Sequence, residues 1–208
     1  GSGSAMAASS KVGGVLNTAG AIDMHAEATA KDATAAAGSV KVEDSNNVLF
    51  LGNTAGADTM TATASGKDAT AAAGSISIED SKRVGMILNE AGAGSMTAEA
   101  SAKNSTAAAG SVAIDNSKDV GEILNSAGAG SMTATASAED ATAAAGSVSV
   151  EDSQRVGLIS NEAGAGSMTA EASGKNSNAA AGSVAVDNSK DVGMIVNKAG
   201  ADSMTAKA

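Results

Sequence analysis

The chain has 208 residues and a formal net charge of −10, with no Cys, Pro, Trp or Tyr, one Phe (Phe50) and one His (His25). Disulfides and thiolate metal sites are thereby excluded, and the acidic balance argues against nucleic acid and anionic membrane surfaces, which call for clustered Lys and Arg. The hydrophobic share of 43% is mostly alanine, so a globule held by about 25 cal/mol per Å² of burial is short of material and the fold must lean on backbone hydrogen bonding and repetition.

In chain order, the opening GSGSAM reads as an expression linker over residues 1–7, followed by a single repeat array over 8–208. No apolar run approaches the roughly 18 residues of a membrane span, so no membrane insertion is expected. The string TAAAGS begins at Thr34, Thr70, Thr106 and Thr142, with NAAAGS at Asn178, each step being 36 residues. The same spacing carries a Met column (Met24 to Met204), a Val column (Val12 to Val192) and an unbroken column of Asn17, Asn53, Asn89, Asn125, Asn161 and Asn197. A longer period lies on top: EDSKR at 79–83 and EDSQR at 151–155 alternate with DNSKD at 115–119 and 187–191, giving a 72-residue super-repeat. About five and a half 36-residue copies fit, with no recognisable cap.

Within a copy, two secondary structures compete. A helix capped by Ser117 and running through Val120, Ile123 and Leu124 is one reading, and an α-helical repeat array follows from it. Against it stand the glycines at Gly85, Gly121, Gly157 and Gly193, each costing about 1 kcal/mol against Ala in a helix. The strand-like NNVLFLGN, and the period-two alternation of SMTATAS, SVSVED and SVAVDN, point the same way. The preferred fold is all-β: a β-solenoid whose coils pair with one another, so that like residues stack in columns. Aligning GSMTAEAS with GSVSVEDS gives offsets of 20 and 16, which suggests two coils per copy, eleven in all, and a rod of roughly 50 Å at about 4.8 Å per coil. Met132, Ala134, Ala136, Val148, Val150, Val120 and Ile123 face inward on this reading, with Thr133, Thr135 and Ser137 outward.

The Asn column is expected to form an amide ladder along the axis; the plainer alternative is a left-handed turn at each Asn. Arg83, Asp119, Arg155 and Asp191 alternate in sign, and two further columns alternate acid with amide: Asp80, Asn116, Asp152, Asn188, and Asp68, Asn104, Asp140, Asn176. Exposed pairs contribute only about 0.2–1 kcal/mol each, so the alternation is read as a register device that penalises a slip by one copy.

Nothing in the sequence supplies chemistry. His25 stands where other copies carry Thr, no nucleophile motif is present, and no phosphate loop occurs. DNSKD and AGADS lack the ligand spacing of calcium loops. No enzyme activity, cofactor, metal or small-molecule substrate is expected. The leading function is a non-enzymatic structural rod whose partner is itself, stacking end to end in an extracellular fibre, functional amyloid, surface layer or adhesin stalk at the cell surface. A second reading takes Thr61, Thr63, Thr97, Thr133, Thr135, Thr169 and Thr205 as an outward Thr array, which resembles the Thr ladders of insect antifreeze solenoids and implies ice binding. A third is a designed or consensus repeat scaffold with no function of its own.

Overall fold

The computed structural model describes residues 4–7 and 13–207. Every regular element among them is a strand and every strand pair is parallel; the helical array is not supported. Each residue pairs with the one 36 positions on: Thr106 with Thr142, Val112 with Val148, Asn125 with Asn161. One copy is therefore one coil, and the described residues make about five turns. The expectation of two coils per copy is corrected, and with it the rod length: five turns at about 4.8 Å stack to roughly 24 Å. The two aligned segments resemble each other because each begins at a turn and then alternates inward and outward. They lie in different sheets of the same coil.

A coil has three sides. Thr106–Ala109 is a short alanine strand, Val112–Asp115 a short valine strand, and Lys118–Ala136 a 19-residue strand that forms the long side. Stacking turns these into three parallel sheets. In the coil before the first complete one, the long side is divided into Val15–Gly20 and Asp23–Ala28. Ser4–Ala7, within the segment read as a linker, pairs with Val40–Glu43 in the same 36-residue register. Val12, placed in the Val column above, lies outside the described residues.

Nineteen extended residues would overrun the short sides, so the long side must bend. Asp119, Gly121 and Gly130 have no partner in the ladder, whereas their neighbours do. At Gly121–Glu122 and again at Gly130–Ser131, two successive residues face away from the core, the signature of a bulge that redirects a strand. Gly121 also serves close approach: a Cβ there would stand 2.4 Å from the Gly85 carbonyl oxygen of the preceding coil. The glycines that spoke against a helix are thus required by coil-on-coil contact.

The other corners use left-handed backbone. Among the described residues, every non-glycine residue with positive φ falls in one of three columns, those of Asn104, Asn116 and Asp119. Asn and Asp tolerate this conformation better than other side-chain-bearing residues. Gly146, at φ +61°, turns the alanine strand into the valine strand; a Cβ there would meet the Met132 sulfur at 3.0 Å.

Two separate cores result. One is built of alanine and methionine, including Met132, Ala134, Ala136, Ala143 and Ala145. The other is branched aliphatic, including Val120, Ile123, Val148 and Val150. The inward assignments of Met132, Ala134, Ala136, Val120, Ile123, Val148 and Val150 hold, and Thr133, Thr135 and Ser137 are not buried.

Candidate functional site

What the solenoid presents for function is a set of ladders parallel to its axis, some inside, some at the corners and some on the outer long side. The inner ladder is the Asn column. Asn125 lies on the long side between Ile123 of one core and Ala127 of the other, and is buried. Its Nδ2 donates to Asn161 Oδ1 at 2.8 Å, and its Oδ1 accepts from Asn89 Nδ2 at 2.9 Å. The chain of amides continues from Asn17 through Asn53 to Asn89, and from Asn161 to Asn197. None of the six has left-handed backbone, so the ladder and not a turn accounts for the column. Each amide nitrogen from Asn17 to Asn161 donates to the oxygen of the next coil's Asn, which offsets the cost of burying the polar group.

Two serine columns escaped the sequence reading. Ser111 Oγ donates to the carbonyls of Ala109 and Ala144 at 3.1 and 3.2 Å, while its own N–H donates to Ser75 Oγ at 3.1 Å. Ser117 works in the opposite direction along the axis: its N–H donates to Ser153 Oγ at 3.2 Å, in the following coil, and its Oγ to the Asp115 carbonyl at 2.9 Å. The signal was present, since both serines recur at every 36-residue step. It went unused because a serine beside glycine or aspartate also fits an exposed turn. No buried side-chain nitrogen or oxygen among the described residues lacks a partner.

The corner columns are bonded two coils at a time. Asn104 Nδ2 donates to Asp68 Oδ1 at 2.8 Å and Asn176 to Asp140 at 3.2 Å. Asn116 bonds Asp80, and Asn188 bonds Asp152, in the same sense. The next coil contact has no such pair and is joined by Arg155, whose Nε and Nη2 reach the two carboxylate oxygens of Asp119 at 2.7 and 2.9 Å. Arg83 bonds Asn47 at 3.0 Å instead of an acid. Both arginines sit at left-handed φ, 53° and 55°, where only a short polar side chain or glycine is at ease. The Asn104 amide holds the Asp68 carboxyl below its usual pKa, and the hydrogen bond to Glu139 raises that of Lys103.

Beside these columns runs a line of acids, Glu43, Glu79, Asp115, Glu151 and Asp187, in register. Partial burial raises the Asp115 pKa; the Asn116 N–H opposes this, and the nearby Asp152 and Asp80 add to it. Lys41 relieves the first two acids at 2.5 and 3.6 Å. Its hydrogen bond lowers the Glu43 pKa. For Lys41 itself, burial works against the charge, but the bond to Glu43 and the attraction of both acids outweigh it and the pKa rises. Among the described residues, no group of three His, Asp or Glu is arranged to hold a metal ion.

On the outer long side, Thr61, Thr97, Thr133, Thr169 and Thr205 stack in one unbroken column. The second column reads Thr63, Glu99, Thr135, Glu171, with Lys207 beyond, and Lys207 Nζ holds Glu171 at 2.8 Å. His25 stacks on Thr61, exposed, 3.4 Å from Glu27. The unbroken threonine array is therefore one column wide, with a hydroxyl column of Thr59, Ser95, Ser131, Ser167 and Ser203 on its other side.

No protein-family model, curated protein or solved structure matches the chain.

Proposed function

We propose that the protein is a non-enzymatic structural element, a β-solenoid rod that grows by stacking coil on coil with further copies of itself. The observation that carries this is the equivalence of successive coils: each offers the next the same backbone ladder, the same Asn amide and the same inner side chains. A coil without a neighbour leaves them open. Inside the stack Ile159 and Met168 are 0% and 4% exposed, covered by the neighbouring coil. Unpaired strand edges with apolar inner residues template more strand, and a coil from a second copy covers both. The setting we infer is outside the cell or at its surface, as a fibre, functional amyloid, surface layer or adhesin stalk; the Ala, Gly, Ser and Thr repetition supports it.

Electron microscopy and fibre diffraction test the proposal. The expected result is rods lengthening with concentration and a meridional reflection near about 4.8 Å. Strictly monomeric particles at the highest soluble concentration would overturn it. The ice-binding reading keeps a single unbroken Thr column, with Glu99 and Glu171 interrupting the column on one side of it, and a thermal hysteresis measurement is expected to show no activity.

A further inference from the structure

The outer surface of the long side carries an apolar strip that the core does not use. Leu88 and Leu124 face outward between buried neighbours, in a column that also carries Leu16 and Val196 and is interrupted by Gly52 and Ser160; Met86, Leu158 and Met194 lie one column away. Met86 is 37% exposed and Leu16, in the Leu88 column, 79%; Leu49, which is 67% exposed, stands in the neighbouring column that continues as Gly85 and Gly121. In a chain with so few large apolar residues, spending them outside is costly, and a contiguous patch of this kind marks an interaction surface. Two features of the strip show what fits it.

The first is charge. One flank carries Arg83, Asp119, Arg155 and Asp191; the other carries, seven residues on in the same coil, Glu90, Ser126, Glu162 and Lys198. In every coil where both flanks are charged, the signs are opposite: Arg83 with Glu90, Arg155 with Glu162, Asp191 with Lys198. The second is shape. Beside the strip, Gly85, Gly121 and Gly193 form a floor without side chains, and three residues on in each coil stands a side chain, Leu88, Leu124 or Val196. A two-fold axis parallel to the rod exchanges the two flanks at constant coil height. It sets Arg83 against Glu90, Arg155 against Glu162 and Asp191 against Lys198 of a second copy, and lays the Leu88, Leu124 and Val196 side chains over the glycine floor.

We propose that this strip is the interface of a closed, side-by-side parallel dimer of the chain. The pairing is separate from end-to-end growth: it uses the long side, whereas growth uses the coil edges. Glu122, the only charge within the strip, lies next to the axis and faces its own counterpart, so it weakens the pair.

Sedimentation equilibrium measures the association, with far-UV circular dichroism confirming the fold of each variant. The wild-type chain should form a dimer. Glu90→Arg with Glu162→Arg should weaken it about tenfold or more by placing like charges together. Adding Arg83→Glu and Arg155→Glu should restore it, because both flanks are then reversed. Glu122→Gln should tighten it, and Leu124→Lys should abolish it. A wild-type chain that shows no dimer, a Leu124→Lys dimer of unchanged strength, or a quadruple variant that stays as weak as the double would each overturn the proposal. An antiparallel pair, in which Arg155 faces Asp119 of the second copy, gives that last result. Failure of end-to-end stacking reads differently: lengthening rods disappear while the closed dimer remains.

Discussion

The two cores of one coil solve the same packing problem with different materials. The aliphatic core fills its space with branched side chains from both walls, Val120 and Ile123 against Val148 and Val150. The other core is lined by alanine and takes one long side chain per coil, Met132, which lies against the Gly146 corner. Branched residues make a strand stiff and self-specifying, whereas alanine supplies little shape, so the methionine and the glycine must fit each other. The Asn ladder runs between them and ties the two halves of every coil to the same neighbour.

The sharpest way to break the stack is to fill a glycine. Gly121→Val would push a side chain into the Gly85 carbonyl, 2.4 Å from the new Cβ, and is expected to cost about 3 kcal/mol or more, read by urea denaturation. Next come the two cores themselves. Ile123→Ala and Met132→Ala should each cost about 2–5 kcal/mol. A Met132→Ala cost below about 1 kcal/mol would show that the alanine core is not organised around methionine. Asn125→Ala strips the Asn89 amide and the Asn161 carbonyl of their partners. At about 1–3 kcal/mol for each buried group left unpaired, it should rival a core substitution although it removes no apolar surface.

Corner effects should be smaller. Arg155→Asn loses an exposed ion pair worth about 0.2–1 kcal/mol but places at φ 55° a residue type that the equivalent Asn47 shows to be accommodated at φ 59°. The melting temperature should stay level or rise. Asp115→Asn has the smallest effect and depends on pH. A carboxyl whose folded pKa is raised destabilises the fold when ionised, and the penalty lifts as pH falls through that pKa. The substitution should therefore stabilise at neutral pH, by up to about 0.5 kcal/mol, and do nothing at a pH low enough to protonate Asp115 in both states.

Columns that recur at one spacing were easy to read, because a solenoid writes its register directly into the sequence. The Asn ladder, the inward Met132 and Ile123 and the outward Thr133 all follow from period and alternation. Coil size did not, because GSMTAEAS and GSVSVEDS alternate alike although one lies on the long side and the other on the valine side. The corner columns were read for charge alone. Their choice of Asp and Asn also answers to left-handed backbone, which a list of charges does not reveal. The outward strip was missed for a related reason. The bulge at Gly121–Glu122 shifts the alternation by one residue, so Ile123 points in and Leu124 out, whereas unbroken alternation from the inward Val120 would turn Leu124 in.

By itself, the sequence determined that like residues must stack and at what interval, since a 36-residue period with unbroken Asn and Met columns leaves a β-solenoid as the arrangement that serves them all. Only the tertiary structure decided how many turns that interval makes, where the long side bends and which leucines face out. Those depend on which residues skip the ladder, and skipping is set by the close approach of the neighbouring coil's backbone, a contact between residues 36 apart.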